Sequence, residues 1–248
     1  MRKIFHILLS ALTFISMNSL AQNPNANQNK FRQLDYELPT PNVYRTASGA
    51  PGHAYWQNTA DYEMDIVLDD ENQRIYGVEK INYTNKSPDN LEYLWIQLDQ
   101  NMRNPQSETY KISQGNIKDG VSLYEYFNLF HTFPGGFNID YVNDEKGDPF
   151  LVKVNHTMMR VDLTEPLQSG DSLTIDIKWW YNINDRMEIG GRSGYEYFKE
   201  EDNYLYTIAQ FFPRMAVYSD VTGWQNKQFL GRGEFTLPFG DYDVRLTV

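Results

Sequence analysis

The sequence contains no cysteine. That excludes a disulfide-stapled scaffold, a cysteine zinc ribbon, a thiol nucleophile and attachment through a lipidated cysteine. Basic residues are scarce as well: 22 Lys and Arg stand against 33 Asp and Glu over 248 residues, a formal charge of −11. Nucleic-acid binding needs clustered cations against phosphate, so no nucleic-acid partner is expected. Histidine occurs only as His6, His53, His131 and His156, with no pair at i, i+4 and no H-E-x-x-H. No metal ligand is assigned on this chain. A G-x-S-x-G elbow is also missing. Gly190-Gly191-Arg192-Ser193-Gly194 has glycines around a serine in another spacing and no Walker lysine after it, so it reads as a connecting loop. No catalytic residue is assigned.

What is present begins with an export signal. Residues 1–21 start with Arg2 and Lys3, continue through an apolar run too short to span a bilayer of about 30 Å, and end on Ser19-Leu20-Ala21. Cleavage after Ala21 is expected, which takes the formal charge from −11 to −13. No other segment is apolar enough to span a membrane, so the mature chain is expected to be secreted or periplasmic with no membrane partner. Residues 22–54 are rich in Asn, Gln, Pro and Gly and read as a polar linker.

From residue 55 to 248 the hydrophobic period is two. Tyr62, Met64, Ile66 and Leu68 alternate with Asp61, Glu63, Asp65 and Val67, and residues 74–85 return after the turn Asp69-Asp70-Glu71-Asn72. Residues 91–98 follow the turn Ser87-Pro88-Asp89-Asn90. Shorter strands are expected over 137–142, 150–155 and 204–209. Met159, Val161 and Leu163 alternate before a turn at Gln168-Ser169-Gly170-Asp171. Leu173, Ile175, Ile177 and Trp179 then form a strong inward face. Tyr242, Val244, Leu246 and Val248 close the chain in the same mode. Only residues 107–115 and 121–130 suit short helices. The pattern predicts an all-β fold, an antiparallel-rich sheet or β-sandwich.

Few side chains single themselves out. The acidic run at Asp69 lacks the alternating ligands, central Gly and distant Glu of a calcium loop, so it reads as a hairpin turn. Among 33 acids no pair is marked for glycoside hydrolysis. Aromatics concentrate late, at Tyr195, Tyr197, Phe198, Tyr204, Tyr206, Phe211, Phe212, Tyr218, Trp224 and Phe229. Most are expected in the core. An exposed subset would make the chain an exported binding module for glycan or peptide, the alternative carried forward.

Three segments carry a resemblance in order. Residues 54–101, AYWQNTADYEMDIVLDDENQRIYGVEKINYTNKSPDNLEYLWIQLDQN, resemble the opening hairpins of the N-terminal domain of the aminopeptidase N and leukotriene A hydrolase family of zinc metallopeptidases. Residues 159–183, with Pro166, Leu167 and Gly170 at the turn, look like that domain's next hairpin. Residues 207–248, TIAQFFPRMAVYSDVTGWQNKQFLGRGEFTLPFGDYDVRLTV, resemble its "TQ…FP" region and following strand, most of all in the secreted bacterial branch.

The resemblance implies a saddle-shaped β-domain that packs on a thermolysin-like catalytic domain and walls the peptide cleft. Zinc, held by H-E-x-x-H and a later Glu, belongs to that second domain in a full-length parent. This chain has neither those residues nor G-x-M-E-N, so it is expected to be a piece cut at its C-terminal end and inactive alone. One substrate-binding residue carries over: Gln210 matches the Gln of "TQ", whose amide offers a peptide both donor and acceptor. The other reading of Gln210 is an ordinary strand-end polar residue. Two positions on, where many members place Glu or Gln for the substrate amine, this chain has Phe212.

Overall fold

Alternation in the sequence becomes two facing sheets in the structure, a computed structural model that describes residues 41–112 and 133–248. The signal peptide, residues 22–40 of the linker, the expected helix 121–130 and His131 lie outside the described residues. Within residues 41–54, Arg45 Nε and Nη2 donate to the two carboxylate oxygens of Asp220 at 2.7 and 2.9 Å, which ties this stretch to the body of the fold.

Strands β1 (Thr59–Asp69) and β2 (Arg74–Thr84) form an antiparallel hairpin. Its acidic turn closes on itself: the Asn72 backbone N–H donates to Asp69 Oδ1 at 2.9 Å. Next come β3 (Leu91–Gln97), β4 (Asn138–Asp144), β5 (Leu151–Asn155), β6 (Met158–Leu167) and β7 (Ser172–Asn182). Two short ribbons follow, β8 (Gly194–Phe198) with β9 (Asn203–Thr207) and β11 (Tyr218–Ser219) with β12 (Gly223–Trp224), separated by β10 (Arg214–Met215). The last strand is β13 (Tyr242–Thr247).

One sheet has the order β13-β1-β2-β7-β4 and the other β10-β3-β6-β5. Every pairing is antiparallel except β1 with β13. Inward residues of both sheets, among them Met64, Ile81, Ile177 and Trp179 on one and Leu94, Ile96, Met159 and Val161 on the other, form one apolar core. Each contributes on the order of 1.5–3 kcal/mol by leaving water. The Trp179 indole lies over Gly77 so closely that a Cβ there would sit 2.3 Å from its ring. A glycine inside an otherwise apolar strand is explained by that approach.

Two expectations are corrected. Residues 159–183 are not a hairpin, because β6 pairs with β3 and β7 pairs with β2. The turn Gln168–Asp171 carries the chain from one sheet to the other, as Ser87–Asn90 does between β2 and β3. Strand β13 alternates in sequence but has no inward face. It is the edge of its sheet, and all six of its residues are exposed.

The two crossings are joined by Asn85, which is fully buried. Its Nδ2 donates to Asp89 O at 2.7 Å and Leu167 O at 3.0 Å. Its Oδ1 accepts from Ser87 N at 3.1 Å and Ser87 Oγ at 2.6 Å. Its backbone N–H donates to Asp171 O, and its carbonyl accepts from Gly170 N at 2.6 Å. We therefore expect Asn85→Ala to cost about 2–4 kcal/mol in urea unfolding, since several buried partners lose their bonds at once. A loss under about 1 kcal/mol would show that the junction is dispensable.

Glu79 stands on the inward face of β2 with no exposed surface, and neither carboxyl oxygen has a hydrogen-bond partner. Burial pushes its pKa well above the ordinary carboxylate range, and the neighbouring Trp179 indole offsets this only in part. The folded chain thus holds a proton that the unfolded chain releases. The stability Glu79 contributes is full below the unfolded pKa of about 4.3 and is lost as pH rises toward the folded value. Glu79→Gln should raise the urea midpoint at pH 8, with the difference vanishing below about pH 4. A lower midpoint for the variant at pH 8 would contradict this.

Candidate functional site

Strand β3 does not end in an ordinary loop. After Gln97 the chain enters a 3-10 turn, Asp99–Arg103, whose Asp99, Gln100 and Arg103 are buried although polar. Buried polar side chains need partners, and those of this turn assemble a cleft of about 270 Å³. Its other walls come from the short helix α1 (Glu108–Ile112), the glycine-rich loop after helix α2 (Arg186–Ile189), and the bend at Gln210.

Asp99 is 1 % exposed. Its Oδ2 pairs with Arg214 Nη2, delivered by β10, whose residue Arg214 lies in register with Gln97 of β3. Burial still pushes the Asp99 carboxyl upward, against the pull of Arg214. Its Oδ1 has no hydrogen-bond partner.

The segment carrying Gln210 is pinned through its backbone. Gln100 Nε2 donates to Ala209 O at 2.7 Å and to Gln210 O at 3.3 Å. Ser193 Oγ donates to Ala209 O at 3.1 Å and accepts from Ala209 N at 2.9 Å. Tyr181 Oη donates to Phe211 O at 3.1 Å. This clamp holds Gln210 at φ +49°. The three other described non-glycine residues with positive φ, Gln73, His156 and Asp202, sit in hairpin turns. Gln210 alone among them adopts the left-handed region in a bend at the cleft, a conformation that costs on the order of 1–3 kcal/mol. Gln210 lines the cleft, and its side-chain amide makes no hydrogen bond to the described residues.

The structure thus places the one residue singled out from sequence among groups that sequence reasoning missed. Asp99, Gln100 and Arg103 follow an apolar strand and look like a solvated turn, and no periodicity marks them as buried. Ser193 belongs to a loop that read as a mere connection, yet it is 4 % exposed and acts as a clamp. Helix α2 had a signal: Asp185 accepts from the backbone of Met187 at 2.7 Å and of Glu188 at 3.3 Å, and Asp185-x-x-Glu188 is a capping pattern. Phe212, the departure from the family pattern, packs edge-on against Tyr62 with ring centres 5.5 Å apart and belongs to the core margin.

The late aromatics divide. Phe229 is buried, and Tyr195, Tyr206, Phe211, Tyr218 and Trp224 pack against the core, but Tyr197, Phe198 and Tyr204 stay exposed on the β8–β9 ribbon. Among the described residues no group of three or more His, Asp or Glu could hold a metal ion. His53 is exposed, and His156 places Nε2 at 3.2 Å from Glu108 Oε1. The residues that line the cleft carry a guanidinium, a carboxylate and a side-chain amide.

Removing Asp99 would leave Arg214 buried without its counter-charge. Asp99→Ala should cost about 3–5 kcal/mol in chemical unfolding, and Asp99→Leu combined with Arg214→Met much less than Asp99→Ala alone. Equal losses in the single and double variants would show that the pair is not coupled.

No family model and no curated protein matches the chain. Among solved structures, the M1 zinc metallopeptidase of Deinococcus radiodurans aligns at 9 % identity and a TM-score of 0.39, covering 79 % of this chain and 33 % of the metallopeptidase. A variant of that enzyme bound to a Tyr-Ser-Ala substrate aligns at 10 % identity and a TM-score of 0.38, covering 79 % and 34 %. The chain spans about a third of the length of these proteins. Likeness at this level is a distant structural relationship and nothing finer.

Proposed function

We propose that this chain is the non-catalytic β-domain of a secreted or periplasmic zinc aminopeptidase, and that it contributes one wall of a peptide cleft. The observation that supports the reading is the setting of Gln210. The residue that the sequence resemblance assigns to substrate contact lies in a cleft, on left-handed backbone held by three other side chains, with its amide unengaged. Strain maintained by surrounding structure is typical of binding sites. The amide can accept from a peptide N–H and donate to a peptide carbonyl. Hydrolysis would belong to a partner thermolysin-like domain carrying zinc, since this sequence contains no H-E-x-x-H.

A second reading has its own observation. Tyr197 and Tyr204 are exposed opposite each other on one face of the β8–β9 ribbon, with ring centres 4.9 Å apart, a surface suited to stacking on glycan or peptide.

One set of measurements separates the two. The purified chain should release no amino acid from aminoacyl anilides and take up no stoichiometric zinc. A tripeptide with a free amine should shift the Gln210 side-chain amide signals in NMR titration, and Gln210→Leu should weaken that binding about fivefold or more, the loss of about one hydrogen-bonding group. Zinc-dependent turnover by the pure chain, or peptide binding indifferent to Gln210→Leu, would contradict the first reading. Saturable binding of an oligosaccharide that Tyr204→Ala abolishes would establish the second.

A further inference from the structure

Arg103 closes the 3-10 turn and is only 7 % exposed. A guanidinium has five N–H donors. Among the described residues this one makes a single hydrogen bond, from Nη2 to the Ser193 carbonyl at 3.3 Å, and its buried Nε has no partner. No carboxylate of the described residues lies within 4.0 Å of it, whereas Arg214 is neutralised by Asp99. Burial consequently pushes the Arg103 pKa down, with only the phenols of Tyr110 and Tyr181 acting in the other direction. Buried charges in proteins are ordinarily paired, because an unpaired one forfeits several kcal/mol of solvation. Among the described residues Arg103 has no such partner, and it lines a cleft.

The surroundings narrow what that cleft accepts. Gly191 lies beside Arg103 with a φ of +89°, and a Cβ there would stand 3.4 Å from Arg103 Nη2, so the glycine places no side chain against the guanidinium on that side. Thr109 contributes a buried hydroxyl that has no hydrogen-bond partner and can donate. Asp99 also lines the cavity, and its carboxylate beside it disfavours a second negative charge. A planar, singly charged group matches the guanidinium fork through two parallel N–H···O bonds, and a carboxylate is that group. At about 270 Å³ the cavity is below the usual ~300–1,000 Å³ of sites for drug-sized ligands, so the ligand is small.

We propose that the cleft is a binding site for a small monocarboxylate, held by the Arg103 guanidinium with the Thr109 hydroxyl as second donor. The assignment stands on Arg103 and not on the peptidase reading. Turnover by the isolated chain would sink that reading and leave this one intact, and failure of carboxylate binding would do the reverse.

Calorimetric titration of the whole chain tests it, with N-acetylglycine, glycinamide and inorganic phosphate as probes. N-acetylglycine should bind saturably, glycinamide should not bind, and phosphate should bind at least about tenfold more weakly. Arg103→Met keeps the apolar stem and should weaken N-acetylglycine binding at least about 30-fold. It should also leave the urea midpoint of the free chain unchanged or higher, which a purely structural arginine would not do. Arg103→Lys, which keeps the charge and loses the fork, and Thr109→Val, which leaves Arg103 in place, should each weaken binding severalfold. Absent saturation with N-acetylglycine, equal affinity for phosphate, or binding indifferent to these substitutions would overturn the proposal.

Discussion

The two crossings between the sheets are held together by the hydrogen bonds of one buried asparagine. Asn85 sits where the chain leaves one sheet for the other, and it bonds to the place where the chain comes back. That junction sets the two crossings side by side, next to the pairing of β2 with β7 and of β3 with β6. A hydrophobic residue there could fill the space but could not satisfy the carbonyls of Asp89 and Leu167 and the donors of Ser87 at once. A local polar network thereby ties together segments far apart in sequence, and burial makes it costly to leave incomplete.

The same logic of satisfied and unsatisfied buried groups distinguishes the parts of the molecule. At Asn85 every group has a partner. At Asp99 and Arg214 the charges meet, with Asp99 Oδ1 and Arg214 Nε left over. At Glu79 the carboxyl is sealed into the core without a bond, where it can do little but hold its proton. At Arg103 a charge that cannot be discarded at any ordinary pH is buried at the lip of a cavity. Asp99, Arg103 and Thr109, which line the cleft, each keep an unpartnered buried atom, and the same cleft holds the one non-glycine residue of the described chain with positive φ outside the hairpin turns, Gln210.

Much of the sandwich was legible in the sequence. Strands β1, β2, β3, β6 and β7 each bury one face, and period-two alternation reports that directly. The acidic turn at Asp69 and the sharp turn at Gly170 were readable from turn chemistry. Alternation does not reveal which strand a segment pairs with, so residues 159–183 read as a hairpin although they connect two sheets. Nor does it reveal whether a face is covered, so Tyr242, Val244 and Leu246 read like a buried stripe although β13 is an exposed edge. The cleft was least legible. Gln210 came from resemblance, and the polar residues that pin its backbone, Gln100 and Ser193, have no periodic signature because tertiary contacts alone bury them.

The central claim is that this cleft recognises a ligand rather than merely tolerating a buried charge. A crystal structure of the chain grown with a tripeptide tests it most directly. The account predicts the peptide carboxylate on the Arg103 guanidinium, with the Gln210 amide bonded to the peptide backbone. An Arg103 neutralised by a carboxylate of its own chain, or a peptide lying along the β8–β9 ribbon with the cleft unused, would contradict it.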